Sequence, residues 1–211
     1  AKLFAAGSSE QDVRILFLGA ETGRTEGHPI GTNVFIRNEY NEKSSVIYFN
    51  FSSVPGKTVL RTGNNRAITP YRMVKNINNA LLKSGLDYSL RAEQNILYNL
   101  GMILPPSPLD TYLDADIPAL MFLSSPGDTH PDADKWFDGF SVCMSDFAEK
   151  TAVTWDSSGK NYFVVKLSNG YTVISESYLL FFFLAVSVIV IFYITFHAKQ
   201  SGLYLKRIFK Y

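Results

Sequence analysis

The sequence predicts an α/β protein: a three-layer domain with a mostly parallel sheet and helices on both faces, followed by a C-terminal transmembrane helix. Three observations carry this expectation. Short apolar runs alternate with longer amphipathic stretches, the pattern of strands buried between helices. Gly, Pro and capping residues stand between them. Finally, Tyr178–Phe196 reads YLLFFFLAVSVIVIFYITF, 19 residues without a charge, a Pro or a Gly. At 1.5 Å per residue that run extends about 28 Å, close to the roughly 30 Å hydrocarbon core of a bilayer.

Taken in order, Val13–Leu18 (VRILFL) is an apolar run stopped by Gly19-Ala20 and reads as a strand buried on both faces. Gly31-Thr32 offers an N-cap for a short helix through Asn33–Tyr40. Ser45–Phe51 (SVIYFNF) is the next strand, and Thr58–Arg61 a shorter one. Thr69-Pro70 opens a helix that runs to Ser84 and is closed by Gly85. Ser89, with Glu93 nearby, predicts the start of another helix ending near Gly101. Leu104–Pro108 is too rich in proline for a regular element. Ile117–Leu123 (IPALMFL) is a buried strand and leads into the polar turn Ser124–Asp134. In Lys135–Lys150, Trp136, Phe140, Cys143 and Phe147 recur at helical spacing and predict a core-facing helix. Tyr162–Ile174 alternates around Ser168-Asn169-Gly170, a β-hairpin signal.

Composition excludes several functions. Of 211 residues, 20 are basic and 19 acidic, so no overall field recruits nucleic acid, and no basic stripe interleaved with aromatics appears. Cys143 is the single cysteine, which excludes an internal disulfide, a redox CxxC pair and a multi-cysteine zinc site. It reads as a small buried hydrophobe. Glu176 precedes the apolar run, whereas Lys199, Lys206, Arg207 and Lys210 follow it. The positive-inside rule then predicts a single-pass protein with its N-terminal domain outside the cytoplasm and its tail inside. The basic tail reads first as an ordinary stop-transfer flank, and as an alternative it fits the anionic surface of a lipid bilayer.

In parallel α/β sheets, ligands collect beyond the carboxyl ends of the strands. Three loops leave those ends, 19–30, 52–57 and 124–134, and hold Glu21, Glu26, His28, Asp128, His130, Asp132 and Asp134. Imidazoles and carboxylates on converging loops are what zinc-assisted hydrolysis requires, since they bind the metal while a further carboxylate takes the proton of its water.

The strand Ile15-Leu16-Phe17-Leu18 followed by Gly19-Ala20-Glu21 resembles the Gly-Ala-Glu-Glu strand of the M28 zinc aminopeptidases. Val46–Phe51 followed by Ser52 is similar to that family's strand ending in Asn-Leu-Asp-Met. Ile117-Pro118-Ala119-Leu120 with Thr129-His130-Pro131-Asp132-Ala133-Asp134 resembles its Ile-Pro-Ala strand and Tyr-His-Thr-Pro-x-Asp turn. The resemblance covers Ala1 to Lys150. It implies a zinc-exopeptidase-like fold, here truncated at its N-terminus, because the family's earlier His-x-Asp and bridging Asp would precede Ala1. The opening residues, Ala-Lys-Leu-Phe-Ala-Ala, read as the end of a helix begun upstream.

Carried over residue by residue, the resemblance places Glu21 as the general base and His130 as a metal ligand. Thr22 and Ser52 fall where the family has a ligand Glu and a ligand Asp. Two neutral hydroxyls thus replace two anionic oxygen donors, and the implied outcome is a pseudoenzyme without a cofactor. Its cleft would bind a peptide, a chain terminus or a membrane-protein partner. The alternative is a working zinc peptidase with a rearranged metal site, in which Glu26 or His28 substitutes for the lost ligands. A third expectation is a subunit of a larger assembly, with Phe181–Phe183 and Ser187 against another membrane helix. The expected organisation is an M28-like domain over 1–150, a hairpin segment over 151–176, a transmembrane helix over 177–197 and a cytoplasmic tail over 198–211.

Overall fold

A computed structural model describes residues 14, 16, 18, 29–40, 44–51, 54–64, 67–90, 107–124, 132–150, 161–168 and 170–208, with side chains to His197. It divides into two compact units, Ala1–Val173 and Ile174–Tyr211. Among the described residues, the first unit runs α1 (Ile30–Asn38), β1 (Val46–Asn50), β2 (Thr58–Arg61), β3 (Gly63–Asn64), β4 (Ala67–Ile68), α2 (Tyr71–Ser84) and β5 (Tyr88–Leu90). It continues with α3 (Pro108–Asp114), β6 (Ala119–Ser124), α4 (Ala133–Lys150), β7 (Tyr162–Leu167) and β8 (Gly170–Ser175), whose last two residues belong to the second unit.

Four strands form the main sheet in the order β1-β6-β2-β5. β1 and β6 are parallel, as are β2 and β5, whereas β2 meets β6 antiparallel. The sheet is therefore mixed and mostly parallel. Its two faces are read directly from the period-two alternation of strand side chains. On β6, Leu120 and Phe122 enter one core with Leu60, Leu90, Met73, Val74, Ile77, Leu81, Cys143 and Phe147. Ala119 and Met121 enter the other with Leu109, Tyr112, Leu113 and the half-buried Val46 and Tyr48. Helices α2 and α4 cover the first face, and α1 and α3 the second. β6 is apolar on both sides because its two faces are buried in the two cores.

Several elements follow the sequence closely. β2 and β6 lie where apolar runs predict them, and α2 ends at Gly85, whose left-handed φ of 69° suits a residue without a Cβ. Other expectations are corrected. α1 starts at Ile30, so Thr32 is buried within the helix instead of capping it. Thr69 also caps nothing: its hydroxyl donates to the Ala119 carbonyl and ties the start of α2 to β6. Ser89 sits in a strand, because Tyr88 and Leu90 alternate inward against β2, and the rest of the helix expected up to Gly101 lies outside the described residues. The proline-rich loop gives way to α3, since Pro108 occupies the first helical turn, where its missing N–H costs nothing. The Asp110 carboxylate accepts the Ser107 N–H at 2.8 Å and fixes that start. The strand expected at Val13–Leu18 is not seen in its described residues: Arg14, Leu16 and Leu18 lie in no regular element, and Leu16 is 42% exposed.

The hairpin β7-β8 packs as part of the globular unit. Tyr162 and Val173 are buried in the first core, with Val164 and Tyr171 against it. A polar tie reinforces this. The Asn78 side chain of α2 donates to the Tyr171 carbonyl at 2.9 Å and accepts from the Tyr88 hydroxyl at 2.9 Å.

α2 and α4 are also joined at their surface, where the Asp146 carboxylate meets Lys83 at 2.7 Å and Lys150 one turn along α4. Hydrogen bonds from Lys150 and Lys83 hold the Asp146 carboxyl below the usual carboxylate range. With the folded pKa depressed, the contribution is complete above the unfolded value of about 4 and is lost as pH falls through the folded value. Asp146→Asn is expected to flatten that acid limb and to cost less than about 1 kcal/mol at neutral pH, because solvent screens both lysines. Denaturant midpoints of chain and variant along an acid titration check this.

The second unit is built on α5 (Glu176–Ile208). Glu176–His197, 22 residues with mean hydropathy 2.8 and none of it buried, is the described segment long and apolar enough to cross a membrane. Its rise of about 33 Å matches the hydrocarbon core. Two hydroxyls in its middle and second half are satisfied within the helix, Ser187 to the Phe183 carbonyl at 2.8 Å and Thr195 to that of Ile191 at 2.7 Å. That is what a lipid environment demands of a polar side chain.

Candidate functional site

The parallel register Val46↔Ala119 to Asn50↔Leu123 makes β1 and β6 finish side by side. The chain leaves both strands at this edge, toward Ser52 and toward His130. β2 begins there too, since Thr58 pairs with Ser124, and so does β5, since Thr58 pairs with Tyr88. The Thr58 hydroxyl is buried and has no hydrogen-bond partner among the described residues. Nothing in the sequence marks it beyond its place at the head of a strand.

α4 starts at the same edge. The Asp132 carboxylate accepts the Lys135 N–H at 3.1 Å, so Asp132 acts as a helix cap, and Asp134 lies exposed in the first turn. Behind this start lies an aromatic cluster. Trp136 stacks on Phe140 at 4.8 Å, meets Phe51 edge-on at 5.7 Å, and Phe140 meets Phe49 at 5.4 Å. Phe49 also lies 5.4 Å from Phe122. These rings join the ends of β1 and β6 to α4 through edge and stacked contacts that favour a fixed geometry.

An open groove of about 390 Å³ lies at this end of the domain, between α4 and the turn from α2 to β5. It is reached from the strand ends through Asp87, whose carbonyl accepts the Thr58 N–H at 2.9 Å. Leu86 and Val142 give it apolar surface, while Asp87, Lys135 and Asp138 give it charge. All three charges are exposed, and none takes part in an ion pair among the described residues. Gly139 permits the narrow approach of the walls, since a Cβ there would lie 3.0 Å from Leu86 Cδ2. This groove was not legible in the sequence, because its residues come from a turn and a helix face with no shared motif.

The sequence-predicted site residues Glu21, Thr22, Glu26, His28, Ser52, Asp128 and His130 lie outside the described residues. Among the described residues, no group of three or more His, Cys, Asp and Glu could hold a metal ion. Cys143 is buried, and desolvation pushes its thiol up to about 12, so it is an inert core residue and not a nucleophile.

The family model described as TP_0564, first domain, matches residues 13–174. The chain belongs to this TP_0564 family. A comparison with curated proteins finds no match. The family domain takes in both faces of the sheet, the groove and all but the last residue of the hairpin, and it ends two residues before α5 begins at Glu176.

Proposed function

We propose that this TP_0564-family chain is a membrane-anchored binding module. In this reading α5 holds it in the bilayer, its α/β domain lies outside the cytoplasm, and it recognises a peptide segment or chain terminus of a partner protein. The observation that carries the reading is the groove, where the exposed Lys135, Asp87 and Asp138 lie beside the apolar Leu86 and Val142. Charges of both signs beside an apolar surface suit a peptide, which offers an ammonium, a carboxylate and side chains together. The orientation rests on the basic residues that follow the apolar run.

The resemblance to M28 aminopeptidases supports a module without peptidase activity. Thr22 and Ser52 present neutral hydroxyls, which do not fit the donor set that zinc requires at those positions. The second reading, an active zinc peptidase, rests on the retained Glu21 and His130.

Binding of short peptides to the detergent-solubilised chain tests the proposal. The double variant Lys135→Ala, Asp138→Ala is expected to weaken it about tenfold, within the range for charge-assisted contacts. An unchanged affinity removes the groove from the function. Zinc analysis separates the two readings. The purified chain is expected to hold far less than a dinuclear complement and to release no amino acids from peptides. Chelator-sensitive peptidase activity abolished by Glu21→Gln overturns the noncatalytic reading. For the orientation, protease added to right-side-out vesicles should digest the domain and spare 199–211.

A further inference from the structure

The outward face of the hairpin is apolar where a solvated strand face is ordinarily polar. Along β7, Phe163, Val165 and Leu167 project to one side and are 44%, 42% and 54% exposed. The alternate residues Tyr162 and Val164 point the other way, into the first core. On β8, Tyr171 and Val173 face that core, so Ile174 and Thr172 belong to the outward side. The result is a contiguous apolar strip on a sheet layer whose inner face is already packed. A strip of this kind marks an interaction surface.

Covalent continuity names the occupant. β8 ends at Ser175, and α5 begins at Glu176 with no residue between them. Glu176 is also the first residue of the membrane-length apolar segment. Successive Cα atoms are about 3.8 Å apart, so Ile174 lies within about 8 Å of the first residue of that segment. A linker long enough to carry the hairpin away from a membrane is absent. We propose that the outward face of the hairpin, Phe163, Val165 and Leu167, is a lipid-contacting surface that seats in the interfacial layer of a bilayer. The strip carries no acidic side chain, and its aromatic and aliphatic groups suit the boundary between headgroups and acyl chains. The proposal rests on α5 being a membrane anchor.

The test uses the full chain reconstituted into phosphatidylcholine vesicles. Single substitutions Phe163→Cys, Val165→Cys and Leu167→Cys each carry an environment-sensitive fluorophore, and Ser145→Cys at an exposed position of α4, outside the groove, serves as the aqueous control. Cys143 is buried and stays unlabelled in the folded chain. The three hairpin labels are expected to be blue-shifted, quenched by brominated lipid and at least several-fold less accessible to iodide than the label at position 145. Alkaline extraction of the same vesicles reports whether the chain is anchored at all. A chain that stays in the membrane with hairpin labels as open to iodide as the control overturns the hairpin proposal alone. A chain released by alkali overturns the anchoring reading and this one with it. Protection from iodide without quenching by brominated lipid, growing with protein density, also overturns it, by assigning the strip to a second copy of the chain.

Discussion

Phe122→Ala is expected to destabilise the globular unit by about 3–5 kcal/mol, the range for removing a large buried aromatic side chain. Phe122 is fully buried at the middle of β6, the strand shared by both cores. Its ring contacts Phe49 at 5.4 Å and Phe140 at 6.4 Å, so truncation opens a void and also unseats the aromatic cluster at the strand ends. Neighbouring rings on two other elements are held by the backbone and cannot collapse fully into that space. The loss is measured by denaturant titration of the detergent-solubilised chain, followed by tryptophan fluorescence, with Trp136 stacked on Phe140 as the reporter. A change under about 1 kcal/mol means that the face shared by β6 and α4 is not a packed core.

Asn78→Ala is expected to cost about 2–4 kcal/mol, although it removes few atoms, because it strands a buried phenol and a half-buried carbonyl at once. The Tyr88 hydroxyl loses its acceptor, and the Tyr171 carbonyl loses a donor. Tyr88→Phe alone is expected to cost about 1 kcal/mol. In the double variant the phenol no longer needs a partner, so the combined loss should fall below the sum of the two. A double-mutant cycle with no coupling contradicts the hydrogen bond between them. The same group gives a signature at high pH. Desolvation pushes the Tyr88 phenol up to about 12, above its ordinary value near 10. Its protonated form is favoured by folding, so this contribution is whole below about pH 10 and falls as pH rises toward 12. Tyr88→Phe is expected to remove that part of the alkaline limb.

Much of the fold was legible because single elements obey local rules. β1, β6 and α4 are long runs with one period each, and α2 carries a terminator that only one residue type supplies well. What escaped depends on partners distant in sequence. β5 is three residues long and becomes a strand only because β2 lies beside it. The antiparallel pairing of β2 with β6 has no local mark either, since an apolar strand reads alike in both directions. Ser89 and Thr32 look like caps because capping is a local preference, and tertiary packing overrode it at both. For the site, the chemistry-bearing loops were legible as loops, and Asp132 proved to serve the helix it begins. The groove arises from the meeting of α4 with the turn after α2, a contact that neither segment signals alone.

The tie from Asn78 to Tyr171 joins residues 93 positions apart and sets an order of events for the nascent chain. Sequence-distant contacts must wait for chain closure, and a domain folds as a unit during synthesis. The side of α2 that carries Met73, Ile77 and Leu81 therefore lacks its last cover until Tyr162, Tyr171 and Val173 have been made. Those residues are followed almost at once by the apolar segment. Completion of the core and delivery of the helix to the membrane thus fall in the same short interval of synthesis. A ribosome halted before Tyr162 would release a chain with an unfinished, adhesive core and without α5, a species suited to rapid disposal by quality control.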